Sequence, residues 1–107
     1  GDDSLTLPIL SVGGSGIISV ASHVVGSQIK EMVDLFLNGE LEKAQTLNCE
    51  LLPVFKAMFV CTNPIPVKTA VHWLGGCEES FRLPMCPAED AEKMRLQEAL
   101  KRYGVIK

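Results

Sequence analysis

The run Gly13-Gly14-Ser15-Gly16-Ile17-Ile18-Ser19-Val20 constrains this chain more than any other. A turn-forming glycine cluster leads into a short apolar, β-branched stretch, the pattern of a strand buried on both faces. Such a strand needs hydrogen-bonded neighbours, because unpaired backbone N–H and C=O groups in apolar surroundings cost free energy. No second stretch in the 107 residues reads as a strand. The sequence therefore predicts one piece of a sheet whose other strands lie elsewhere, set in a mostly helical chain.

The composition supports a core and excludes some partners. Hydrophobic residues make up 47% of the chain, ample for one ordinary domain. Charged residues are 21%, with both signs interspersed and a net charge of −3, which gives no electrostatic case for nucleic acid or an anionic membrane. No apolar run approaches the ~20 residues of a membrane span. The acidic start Gly1-Asp2-Asp3 has no basic region followed by an apolar stretch, so it does not read as a signal peptide. It also lacks an initiator Met, consistent with a chain that begins mid-gene. Cys49, Cys61, Cys77 and Cys86 include no Cys-x-x-Cys pair, and only Cys77 comes within ten positions of a histidine, His72. That pattern favours reduced thiols in a cytosolic protein over a zinc site or a disulfide framework.

Periodicity places five helices around the strand. Ser4 is a candidate cap for a short helix to Leu10, which Gly13 and Gly14 end. Residues 21–26 read as a loop or a single helical turn. From Ser27, Ile29, Met32, Val33, Phe36 and Leu37 share one face, with Asn38-Gly39 as the stop. A long helix runs from Glu40 to about Val60, with Leu41, Ala44, Asn48, Leu51, Phe55 and Phe59 in a stripe and Pro53 as an interior kink. Asn63-Pro64-Ile65-Pro66 opens a helix to Leu74, closed by Gly75-Gly76. Residues 77–87 are irregular. A last amphipathic helix, Ala88 to Tyr103, uses Ala91, Met94, Ala99, Leu100 and Tyr103, and stops at Gly104. Helix, strand, helix is the alternation of a parallel α/β sheet, and the helices beyond residue 40 form an appended unit.

Little in this pattern is chemistry on its face. A phosphate-cradling glycine loop follows a strand and opens a helix, whereas here the glycines precede the strand, so a plain turn is favoured. Adjacent carboxylates on extended chain point opposite ways, and composition alone makes Asp2 and Asp3 a solvated terminus. Ser19, Ser22 and His23 lack a nucleophile elbow and an orienting carboxylate. His72, beside Trp73 in a helix, reads as a packing or surface residue. None of the seven lysines, at 30, 43, 56, 68, 93, 101 and 107, lies on the strand. A Schiff-base lysine needs desolvation or a neighbouring cation to be a free amine near neutral pH, and no such setting is visible.

Taken together, Gly1-Asp2-Asp3, Val12–Val20, the heptad Thr62-Asn63-Pro64-Ile65-Pro66-Val67-Lys68 and Arg82-Leu83-Pro84-Met85 closely resemble the dihydrodipicolinate synthases. These are pyruvate-dependent class I aldolases of lysine (diaminopimelate) biosynthesis. The resemblance follows their C-terminal third from end to end, and the Asn-Pro-Ile-Pro-Val-Lys segment favours them over the sialic-acid lyases and keto-sugar aldolases of the same superfamily. It implies that residues 1–39 are the end of a (β/α)8 barrel, with Ile17–Val20 as strand 8, and that residues 40–107 are the C-terminal helical domain. It implies a cytoplasmic homotetrameric lyase, with no cofactor and no metal, that joins pyruvate to L-aspartate semialdehyde on a lysine Schiff base. Ile18 would line the pyruvate site, and Gly1, Asp2 and Asp3 would lie near the semialdehyde pocket. The family's Schiff-base lysine, its tyrosine and threonine proton relay, the arginine for the semialdehyde carboxylate and the feedback-lysine residues match no position here. The expectation is thus no catalytic residue in this chain and a fragment inactive alone. The competing expectation is a non-catalytic helical module for interaction or oligomerisation, because an isolated fragment exposes its barrel-facing apolar side.

Overall fold

The structure, a computed structural model, describes all residues, Gly1–Lys107. A 3-10 turn, Asp3–Leu5, leads directly into α1, Thr6–Ser11, followed by α2, Ser22–Leu37, α3, Leu41–Ala57, α4, Ile65–Trp73, and α5, Asp90–Tyr103. There is no strand. The expected strand at residues 13–20 is instead an irregular connection, and the helix-strand-helix alternation is not formed. The reason is the lack of a partner strand. A strand exists through its ladder, and no backbone–backbone hydrogen bond reaches residues 15–19.

Four helices stop by the same device. After α1, Gly13 takes φ +103°, its N–H donates to Leu10 O, and the Gly14 N–H reaches back to Ile9 O at 2.9 Å. These are the paired bonds of a Schellman motif, which satisfy carbonyls that the helix end leaves free. Gly14 is also demanded by space, since a Cβ there would lie 2.6 Å from Ile9 Cγ2 and 2.8 Å from its carbonyl oxygen. Gly39, Gly75 and Gly104 end α2, α4 and α5 in the same left-handed way. The helix starts depart further from expectation. Asp2, not Ser4, caps the first turn, and α5 opens at Asp90 behind a capping box of Glu89 and Glu92. Residues 22–26, expected as a loop or a single helical turn, are helical and belong to α2, with a break at Val25, φ −132° and ψ 34°.

The core gathers around α3, which packs between α2 and α5, while α4 closes against both. Met32, Leu51, Phe55, Met58, Leu96 and Leu100 are wholly buried, and each such side chain contributes about 1.5–3 kcal/mol in burial. The α3 stripe holds at Ala44, Leu51 and Phe55. Its ends do not: Leu41 and Phe59 are exposed, and past Pro53 the buried face passes to Val54, Ala57 and Met58. In α5, Leu96 fills the core and Met94 faces out at 70% exposure. Two residues advance a helix by more than half a turn, so those two positions cannot share a face.

Residues 77–89 have no regular structure, but side chains fasten them. Glu79 Oε1 receives Lys93 Nζ of α5 at 2.8 Å and the hydroxyl of Thr69 of α4 at 3.4 Å. His72 Nδ1 lies 2.8 Å from Cys77 O, and the Lys68 ammonium stands 5.4 Å from the Phe81 ring centroid. Lys93 beside it holds the Glu79 carboxyl below the ordinary carboxylate range.

Candidate functional site

The residues singled out from sequence lie at two neighbouring places, the amino-terminal turn and the irregular connection before α2. Asp2 is exposed, and its Oδ1 accepts from the Ser4 hydroxyl at 2.6 Å and the Ser4 N–H at 2.8 Å. Those two bonds, the hydroxyl first, pull the Asp2 carboxyl below its usual range. Gly1 stands against Ile9, whose Cδ1 would be 2.9 Å from a Cβ at that position. Gly14 meets the same isoleucine from the other side, so Ile9 brings the start of the chain and the start of the connection together.

Asp3 is different. The expectation of a solvated terminus fails there, for its side chain is 1% exposed. One carboxylate oxygen accepts from Ser19 Oγ, and the other accepts from the N–H groups of Val20 at 3.2 Å and Ala21 at 3.1 Å. These donors lie immediately ahead of α2, whose N-terminal dipole favours negative charge. Thr6 in turn donates to the Asp3 carbonyl at 2.7 Å. A carboxylate some seventeen positions away thus does the work of a local cap. No capping pattern in the sequence announces this, because the acceptor and its donors are distant in the chain.

Ile18 is bare, 94% exposed, while Ile17 and Val20 pack against the core cluster. The connection therefore turns some apolar groups inward and presents Ile18 and its own peptide groups outward. Ser19, Ser22 and His23 form no hydroxyl–imidazole pair. The Ser22 hydroxyl donates to Ser19 O, Ser19 Oγ accepts from the Ser22 N–H, and His23 Nδ1 sits 2.8 Å from Val20 O. Two surface clefts border α3. One, of about 410 Å³, lies between α3 and α5 beside Cys49, Pro53, Arg102 and Tyr103. The other, of about 460 Å³, lies between α1 and α3. Neither contains Gly1, Asp2, Asp3 or Ile18. No three His, Cys, Asp or Glu side chains are grouped as a metal site, and the four cysteines are free thiols. No helix is long and apolar enough to cross a membrane.

The sequence profile of the Dihydrodipicolinate synthetase family matches residues 1–103. This chain belongs to that family. It is 50% identical, over all 107 residues, to a 4-hydroxy-tetrahydrodipicolinate synthase of Thermosynechococcus vestitus. The fold matches the crystal structure of the dihydrodipicolinate synthase of Thermotoga maritima, with a TM-score of 0.96 and 40% identity over 99% of this chain. It also matches the enzyme of Acinetobacter baumannii complexed with pyruvate, with a TM-score of 0.93 and 31% identity over 99% of this chain. The chain spans 36% of the length of each of these three family members. Within the family it corresponds to the C-terminal part.

Proposed function

We propose that this chain is the C-terminal portion of a 4-hydroxy-tetrahydrodipicolinate synthase, and that it acts only within a longer polypeptide. The whole protein condenses pyruvate, held as an enamine on a lysine, with L-aspartate semialdehyde in lysine biosynthesis. Residues 1–39 then complete a (β/α)8 barrel, and residues 40–107 form the helical domain appended to it. The segment around Ile17–Val20 becomes the barrel's closing strand. In such barrels ligands bind at the carboxyl ends of the strands, which suits Ile18 as a pyruvate contact and Gly1, Asp2 and Asp3 as the semialdehyde side of the pocket. By family analogy the whole enzyme is a cytoplasmic homotetramer.

One observation carries the reading: the connection at residues 15–19 has the sequence of a buried strand, yet its backbone is unpaired and Ile18 is uncovered. Neighbouring strands would satisfy both at once. The lysines support inactivity of the isolated chain. Lys30, Lys43 and Lys93 are ion-paired with Asp34, Glu40 and Glu79, and Glu40 pushes the Lys43 ammonium further from deprotonation. Ion pairing of these three holds them as ammonium rather than as the free amine that Schiff-base chemistry needs. The test is trapping with pyruvate and borohydride. The longer polypeptide gains one covalent adduct and the isolated chain gains none. A single-site adduct on the isolated 107 residues overturns the proposal.

A further inference from the structure

We propose that Asp3 is a positioning residue for the pyruvate end of the site, setting where the Ile18 backbone lies through Ser19, Val20 and Ala21. The inference rests on the preceding reading, in which Ile18 contacts pyruvate. Within this chain Ile18 has no hydrogen bond or packing contact of its own to fix it, and only Ile17 before it rests on the core. Its side chain is 94% exposed, so packing does not hold it, and residues 15–19 make no backbone–backbone hydrogen bond. The nearest polar anchor is the adjoining residue, Ser19, whose hydroxyl donates to the buried Asp3 carboxylate. The same carboxylate takes the Val20 and Ala21 N–H groups, while Ser19 Oγ receives the N–H of Ser22 at 2.9 Å. Asp3 is itself immobilised by burial and by the Thr6 hydroxyl on its carbonyl. Charge-assisted bonds to one carboxylate thus form a rigid link between the Gly1–Asp3 turn and Ile18. A local cap for α2 is already supplied by Ser19 Oγ on the Ser22 N–H. A carboxylate brought from the first turn joins the two segments that the reading places at the two substrates.

The experiment uses the longer polypeptide carrying these residues, with Asp3→Asn, Ser19→Ala and Ser19→Thr. Asp3→Asn keeps size and removes the charge, and it lowers kcat/KM for pyruvate about 10²-fold, the cost of displacing a contact by about 1 Å. Ser19→Ala lowers it about tenfold, the value of one hydrogen bond to a charged group, and Ser19→Thr, which keeps the hydroxyl, restores it. Melting temperatures measured alongside separate folding from function. If Asp3→Asn and Ser19→Ala melt early but retain wild-type kcat and KM for pyruvate, Asp3 is only a cap and the inference is overturned. The reading beneath it then still stands, provided the wild type traps a pyruvate adduct. A wild type that traps none overturns both. Should Asp3→Asn not fold, Ser19→Ala decides alone: wild-type kinetics overturn the inference, and a loss reversed by Ser19→Thr supports it.

Discussion

Two irregular stretches of this molecule look alike in backbone and differ in how they are held. Residues 77–89 make few backbone hydrogen bonds, yet Glu79, His72 and Lys68 bind them to α4 and α5 through side chains. Residues 14–20 are hydrogen-bonded only at their ends, by the Schellman bond of Gly14 at one and the Asp3 carboxylate at the other, with Ile17 resting on the core between them. Between those anchors the peptide groups are free and Ile18 is bare. The polar, self-stitched stretch is finished within this chain. The apolar, end-held stretch has the chemistry of a strand and lacks the neighbours that would make it one. Lack of regular structure therefore carries opposite meanings in the two places, and side-chain satisfaction tells them apart.

The largest effect that would break this contrast is in amide hydrogen exchange. In the longer polypeptide, the amides of Ile17 and Ile18 are expected to slow by orders of magnitude relative to the isolated chain, because ladder bonds protect strands up to the stability of the fold. The amides of residues 78–83 are expected to change little. Equal protection in both contexts would show that residues 14–20 gain no partner strands. Next comes Asp3→Ala, which strands the Ser19 hydroxyl and two N–H groups beside a helix start. A loss of about 2–3 kcal/mol is expected in urea unfolding, and a loss near zero would remove Asp3 as the anchor.

A smaller effect is expected from the other stretch. Glu79→Gln is expected to cost about 0.5–1 kcal/mol, since the partnership with Lys93 is part-exposed and screened. Its pH dependence has a definite sign. The Glu79 carboxyl is lowered in the fold, so its contribution is present above the ordinary glutamate value near 4.5 and fades as pH falls below that through the folded value. The wild type and Glu79→Gln are thus expected to converge in stability toward acid pH. A difference that persists unchanged to strongly acid pH would exclude the ion pair as its source. The smallest effect is Ile18→Ser in the isolated chain, within about 0.5 kcal/mol by the same unfolding measurement, because an exposed side chain has no burial to lose. A larger loss would mean that Ile18 is already covered, and would weaken the contrast from the other side.

The helices were legible in the sequence to different depths. Gly13, Gly39, Gly75 and Gly104 mark helix ends by a local rule, and the structure uses all four in the left-handed conformation. Apolar spacing located the core faces of α2 and the middle of α3. It misassigned Leu37, Leu41, Phe59, Ala91 and Met94, where the helix faces turn away from the core. The start of α2 was missed because its stabilising acceptor, Asp3, is remote in sequence. In the candidate site, Ile18 and the acidic turn were legible through family resemblance, while the bond network joining them was not.

Local chemistry by itself determined where most helices stop, which residues supply the bulk of the core and which family the chain belongs to. Each depends on neighbours in sequence, on glycine's access to positive φ or on apolar periodicity. Tertiary structure alone decided that Asp3 is buried while Asp2 is solvated, that Glu79 joins α4 to α5, and that the Ile17–Ile18 run stays unpaired here. Those outcomes depend on which distant groups come within hydrogen-bonding reach, and a strand in particular is a property of its partners as much as of its own residues.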